Sequence, residues 1–167
     1  MPPTIDPTPP QRSNRPGSGL ESTRAIRFEQ VIDIDRSIEQ VFAYLADFTN
    51  IPSWNYYVRR VRQLTPGPVA EGTTYEQTRR SDRQCYEITV YDAPTVIAVT
   101  TLPGERPAFH RQFTLESNRH GTRLSDLWEL DLGHPIAVQR LAAPRVRRAV
   151  GENLAVLKRL LEQGHDG

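Results

Sequence analysis

Apolar and polar positions first fall into step at AIRFEQVIDI. Ile26, Phe28, Gln30, Ile32 and Ile34 share one parity, while Arg27, Glu29, Val31 and Asp33 share the other. A period of two predicts a half-buried strand. The period changes in SIEQVFAYLADF, where Ile38, Val41, Phe42 and Leu45 form a helical stripe. Ser37 and Gln40 have the spacing of a capping box at its start. The segment NIPSWNYYVRRV predicts a second short, irregular helix around Pro52, then a strand from Val58 to Leu64 closed by the turn residues of TPGP.

Five further strand-like runs follow, separated by turn signals: GTTYEQTRR, QCYEITVYD, TVIAVTTL, AFHRQFTLE and TRLSDLWELDL. SNRHG joins the last two as a hairpin. From Gly133 the pattern is helical to about Gln163, with Gly164 as a stop. Val146, Val150, Leu154, Leu157 and Leu161 share one face of that helix, and Pro144 predicts a kink or the start of its regular part. A meander of this length must curl, and its apolar face needs a cover. Only the C-terminal helix is long enough to supply one. The expected architecture is α+β: a curved antiparallel sheet of about seven strands wrapped around a long C-terminal helix, with two short helices after the first strand. Residues 25–164 form this one domain. Residues 1–24 hold six of the 14 prolines and few core-forming side chains, so they are expected to be a disordered, proline-rich tail.

Two charges interrupt the interior faces. On TRLSDLWELDL the even positions Leu124, Trp128, Leu130 and Leu132 face inward, and Asp126 lies among them. On AFHRQFTLE the inward set is Phe109, Arg111, Phe113 and Leu115. The hairpin places Arg111 opposite either Asp126 or Trp128, within reach of the carboxylate in both cases. A buried carboxylate is costly unless something pairs with it. The two residues are therefore either a structural salt bridge or a pair of polar pocket groups. On GTTYEQTRR the odd face, Tyr75, Gln77 and Arg79, is taken as inward. On QCYEITVYD the inward set is Ile88 and Val90, with Tyr86 beside them and Cys85 pointing out.

Composition removes several function classes. The net charge is +1, and the 20 arginines and one lysine (Lys158) are scattered, so no field favours nucleic acid. The single cysteine, Cys85, permits no internal disulfide and suits a reducing compartment. The N-terminus has no apolar segment of signal-peptide type, and no apolar run approaches a membrane span. A cytoplasmic location follows as the expectation. His110, His120, His134 and His165 lack metal-ligand spacing. No nucleophile elbow, phosphate loop or dinucleotide fingerprint occurs in a strand-to-helix context. Neither a metal nor another cofactor is expected.

The stretch IDRSIEQVFAYLADFTNIPSWN, the YDAP turn, the GTRLS hairpin and the closing ENLAVLKRLLEQ resemble the START-like, helix-grip (SRPBCC) superfamily, in particular its polyketide cyclase/dehydrase branch. The resemblance spans about residues 26 to 163. It implies a cavity between the sheet and the long helix, with a mouth near the short helices. In that frame Arg111 is an oxyanion stabiliser, Asp126 a proton acceptor or donor, and Tyr75 a substrate-orienting or proton-donating group. The ligand-binding set is Gln77, Trp128, Phe109, Phe113, Ile88, Val90, Trp54, Tyr57, Val150, Asn153 and Leu154. For Trp54 the competing role is an anchor that packs the short helices. The family's range leaves three functions open: a cyclase or dehydratase acting on a carbonyl compound without a cofactor, a non-catalytic carrier or sensor of a lipid or isoprenoid, and a protein-interaction module of the chaperone-activating kind. The expected partner is a hydrophobic small molecule, with no nucleic acid and no membrane insertion, and the chain is expected to be a monomer or homodimer.

Overall fold

The computed structural model describes residues 24–164. The expected tail, apart from its last residue, lies outside the described residues. The elements in chain order are β1 (Ile26–Ile34), α1 (Ile38–Ala46), a 3-10 turn (Phe48–Asn50), α2 (Ile51–Trp54), β2 (Val58–Gln63), β3 (Thr74–Arg79), β4 (Arg83–Asp92), β5 (Val96–Thr101), β6 (Ala108–Asn118), β7 (Gly121–Asp131) and α3 (Ile136–Gln163). The seven strands make one sheet in the order β1-β7-β6-β5-β4-β3-β2, with every neighbouring pair antiparallel. This is the antiparallel sheet with a long C-terminal helix expected from the period changes in the sequence, and the helix-grip fold that the resemblance implies.

Local chemistry sets the boundaries. Ser37 caps α1 by accepting from the Gln40 backbone N–H, and the Gln40 side chain accepts from the Ser37 N–H, both at 3.3 Å. Asp47 caps the 3-10 turn by accepting from the Thr49 N–H at 3.0 Å. The first strand joins the final hairpin at Gly121, whose φ is +137°. A Cβ at this position would lie 2.3 Å from the Ile34 carbonyl oxygen and 2.8 and 2.9 Å from the Arg36 backbone N and O. Only glycine lets these backbones approach so closely. Gly121 also pairs with Asn118, which fixes the β6–β7 register.

The long helix α3 packs on β1 and α2. It runs continuously through Pro144, which supplies no N–H to the Arg140 carbonyl. Val150, Leu154 and Leu157 are buried on its inner face, while Val146 and Leu161 are partly buried against the same core. Gly164 ends the helix, donating its N–H to Leu160 O at 3.2 Å. Gln139, unremarked in the sequence pattern, is fully buried near the start of α3. It accepts from the Leu132 N–H and donates to the Arg24 and His134 carbonyls, which ties the helix entry to the end of β7 and the start of β1.

One inward assignment is corrected. The β4–β5 register shifts between Ile88 and Val90, so alternation breaks there. Ile88 is buried, Val90 is exposed, and Tyr91 packs edge-on against Phe42 in its place. Val90 therefore does not line the cavity between the sheet and α3.

Candidate functional site

Arg111 sits on β6 directly across from Trp128 on β7, and Asp126 is across from Phe113. The guanidinium reaches diagonally to Asp126. Nε donates to Oδ1 at 2.8 Å and Nη2 to Oδ2 at 2.7 Å, a two-bond fork. Asp126 is completely buried. The guanidinium carbon is 4.3 Å from the Phe113 ring centre, 4.4 Å from that of Trp128 and 5.2 Å from that of Trp54. Arg111 is thus clamped on its edge by a carboxylate and stacked between aromatic faces. Its Nη1 makes no hydrogen bond among the described residues.

A cavity of about 390 Å³ opens over this cation, between the sheet and α3. That volume is within the usual range for small-molecule sites, roughly 300–1,000 Å³. Its wall is largely apolar and aromatic, with Phe48, Tyr86, Phe109 and Trp128 prominent. Tyr75, Tyr86, Phe109, Trp128 and Phe28 form a chain of neighbouring rings across the sheet, with centroid separations of 5.7, 5.9, 5.6 and 6.4 Å. Arg111, Gln77 and Asn153 are the buried polar residues on the wall. Asn153, on α3, accepts from the Tyr56 N–H at 3.4 Å. The exposed side chains of Tyr57 and Arg145 stand where the cavity meets solvent. Tyr86 Oη and Trp128 Nε1 are enclosed and have no partner among the described residues.

The wall contains six of the residues assigned to ligand binding from sequence, Gln77, Trp128, Phe109, Tyr57, Val150 and Asn153, together with Arg111. Asp126, Tyr75, Phe113, Ile88, Leu154 and Trp54 are buried behind it and do not line the cavity. For these residues the correction has one physical cause. Alternation tells which face of the sheet a side chain is on, whereas the curvature of the sheet and the seat of α3 decide whether it meets the cavity or the core. Trp54 is the anchor between α2 and the core, and its ring also stacks on Arg111. Phe48, Val99, Leu130 and Arg145 complete parts of the wall that had not been assigned. Val99 was hidden because both faces of TVIAVTTL are apolar. Phe48 lies in an irregular turn where no period operates.

Burial, and secondarily the charge of Asp47, pushes the Tyr75 phenol up to about 12 from 10.0. Burial pushes the Tyr86 phenol up as well. A raised folded-state pKa means that the unfolded chain loses its proton first as pH rises. The stabilisation is full below pH 10 and disappears as pH climbs through the folded value. Between pH 10 and 12 the parent is therefore expected to lose about 1–2 kcal/mol more stability than Tyr75→Phe. Urea unfolding of both proteins across that range checks this, and parallel pH profiles would contradict it. Cys85 is half-buried on the opposite face of β4, and burial raises its pKa, which keeps the thiol protonated. Among the described residues no group of three His, Cys, Asp or Glu side chains is placed to hold a metal ion, and no helix is long and apolar enough to cross a membrane.

The family model for polyketide cyclase / dehydrase and lipid transport matches residues 25–162. The chain belongs to that family. No curated protein sequence matches it. Two solved structures share this fold although their sequences have diverged. The di-domain ARO/CYC StfQ from the steffimycin biosynthetic pathway superposes with a TM-score of 0.65 at 13% identity, over 83% of this chain and 51% of that one. This chain thus spans about half the length of StfQ. DR_A0006 from Deinococcus radiodurans superposes with a TM-score of 0.63 at 16% identity, over 83% of this chain and 98% of that one. At these identities the likeness establishes the helix-grip fold, and the function must be argued from the cavity of this family member itself.

Proposed function

We propose that this protein binds a largely apolar small molecule that carries a carbonyl oxygen, seats that oxygen on Arg111, and promotes cyclisation or dehydration of the bound compound. The observation that carries the reading is the state of Arg111. Its Nε and Nη2 are committed to a sealed carboxylate, its faces are covered by aromatic rings, and the residue still lines the cavity. A donor fixed in this way needs no reorganisation to meet developing negative charge on oxygen. The apolar remainder of the wall supplies the surface on which a flexible carbonyl chain would be folded, bringing its reacting carbons together. Family membership supports a ligand of this kind.

In this scheme Asp126 acts on Arg111 and not on substrate, because it has no surface in the cavity. The α-proton of a 1,3-dicarbonyl compound is acidic enough to pass to water. The electron pair left behind spreads onto the oxygen held by Arg111. The enolate carbon then attacks a further carbonyl, remote in the same chain, the alkoxide formed takes a proton from water, and departure of that hydroxyl with the remaining hydrogen of the attacking carbon, as water, completes the dehydration.

A second reading, a non-catalytic carrier, is supported by a different observation. Neither a histidine nor a carboxylate is among the residues that line the cavity. The two readings separate in one experiment with 1-phenylbutane-1,3-dione. Exchange of its methylene hydrogens for deuterium is followed by NMR with the parent and with the Arg111→Gln/Asp126→Asn double variant, in which neither charge is left alone. The catalytic reading predicts acceleration by the parent and a loss of about 100-fold in the double variant, the usual scale for one oxyanion donor. Binding of the dione without any acceleration supports the carrier.

A further inference from the structure

Gln77 presents a hydrogen-bond acceptor to the cavity, and the reason lies one strand away. Gln77 on β3 pairs across the sheet with Gln84 on β4. The Gln84 side chain, almost fully buried, donates from Nε2 to the carbonyl of Pro107. A backbone carbonyl can only accept, so the amide of Gln84 has one permitted orientation. Its Oε1 must then point the other way, toward Gln77. Gln77 meets it by donating from Nε2 at 3.0 Å. The direction of the whole relay follows from one carbonyl. What remains on Gln77 is its second Nε2 hydrogen and Oε1, and Oε1 accepts no hydrogen bond among the described residues. It is not among the enclosed, unpartnered polar atoms, and Gln77 lines the cavity.

The two polar ends of the cavity therefore have opposite character. Arg111 can only donate. Gln77, held by Gln84, offers an acceptor. Strands β4 and β5 separate β3 from β6, so the two residues are three strand spacings apart, and Gln77 is level with Gln84 whereas Arg111 is level with Val99 and Ile88, four residues further along β4. Aromatic and aliphatic side chains cover the wall between them.

We infer that Gln77 is a specificity-determining residue that reads a hydroxyl group on the ligand, at the end remote from the oxygen seated on Arg111, and that Gln84 is the positioning residue that keeps it in the accepting orientation. The inference rests on the ligand reading given above and narrows it. The preferred compound is an apolar, ring-sized molecule with a carbonyl or carboxylate oxygen at one end and a free hydroxyl, phenolic or enolic, at the other. A methyl ether at that second position is rejected, because it leaves the Gln77 oxygen facing a group that cannot donate.

The test uses three rigid acids, 2-naphthoic acid, 6-hydroxy-2-naphthoic acid and 6-methoxy-2-naphthoic acid, titrated calorimetrically into the full-length protein. The parent is expected to bind the hydroxy acid about five-fold or more tightly than either of the others, the worth of one hydrogen bond. Gln77→Met should abolish that preference, so that the hydroxy and methoxy acids bind it alike. Gln84→Met should do the same, although Gln84 touches no ligand, because Gln77 is then free to turn its donor toward the cavity. A merely structural Gln84 would weaken all three acids alike. If the Gln84 variant does not fold, Gln77→Met decides alone. Equal binding of hydroxy and methoxy acids to the parent, with affinity still lost in Arg111→Gln/Asp126→Asn, overturns the inference and leaves the ligand reading standing. Failure of the parent to bind any of the three overturns both.

Discussion

Arg111→Gln is expected to destabilise the protein by about 3–5 kcal/mol, whereas Asp126→Asn costs roughly 1–3 kcal/mol. The asymmetry comes from where the two partners stand. Asp126 is completely enclosed behind the wall, so removing the guanidinium strands a carboxylate that water cannot reach. Arg111 lines the cavity, so removing the carboxylate leaves a cation that cavity water can solvate. It also keeps the faces of Phe113 and Trp128 at 4.3 and 4.4 Å. The double variant Arg111→Gln/Asp126→Asn should recover much of the loss, since two neutral side chains remain. Ligand binding should not recover with it. Urea unfolding and 2-naphthoic acid titration of all four proteins complete the cycle. Equal costs for the two single changes would mean that the cavity gives no relief to Arg111. Restored binding in the double variant would mean that the guanidinium does not hold the ligand.

Leu154→Asp is expected to prevent stable folding. Leu154 is buried on the inner face of α3 between Val150 and Leu157, where the helix closes the sheet. An aspartate there loses the packing of a core leucine and brings an unpaired charge into it, at a cost of about 4 kcal/mol or more. A domain has only about 5–15 kcal/mol in total. Expression and thermal melting of the variant measure the effect. A soluble protein that melts with the parent would show that α3 does not grip the sheet through this face.

Much of the fold was legible because period changes are a one-dimensional signal. The switch at Ser37, the turn signals between strands and the apolar stripe from Val146 to Leu161 each identify an element without reference to its neighbours. The β6–β7 pairing was legible only to within one step. Alternation placed Arg111 and Asp126 on interior faces, but the choice between Asp126 and Trp128 as direct partner depended on the Asn118–Gly121 turn. That turn is fixed by a close backbone approach to Ile34 and Arg36, more than eighty residues earlier in the chain. The error at Val90 has a similar origin. Thr89, Val90 and Tyr91 all suit a strand, so nothing local announces the shift that turns Val90 out.

The site was less legible than the fold. Gln84 carried a signal that went unused, because it has the same parity as Tyr86 and Ile88 and so belongs to the interior face of β4. Its partner, the carbonyl of Pro107, has no sequence signature at all. Depth behind the wall was likewise hidden. Tyr75, Phe113 and Leu154 read like wall residues in every pattern, and only the curvature of the sheet separates them from Phe109 and Val150.

The most direct test of the account is the electron density of crystals grown with 2-naphthoic acid. The predicted result is the ring system in the cavity between the sheet and α3, with a carboxylate oxygen about 3 Å from Arg111 Nη1. An acid seated elsewhere, or a cavity holding it with the carboxylate turned away from Arg111, would contradict the account.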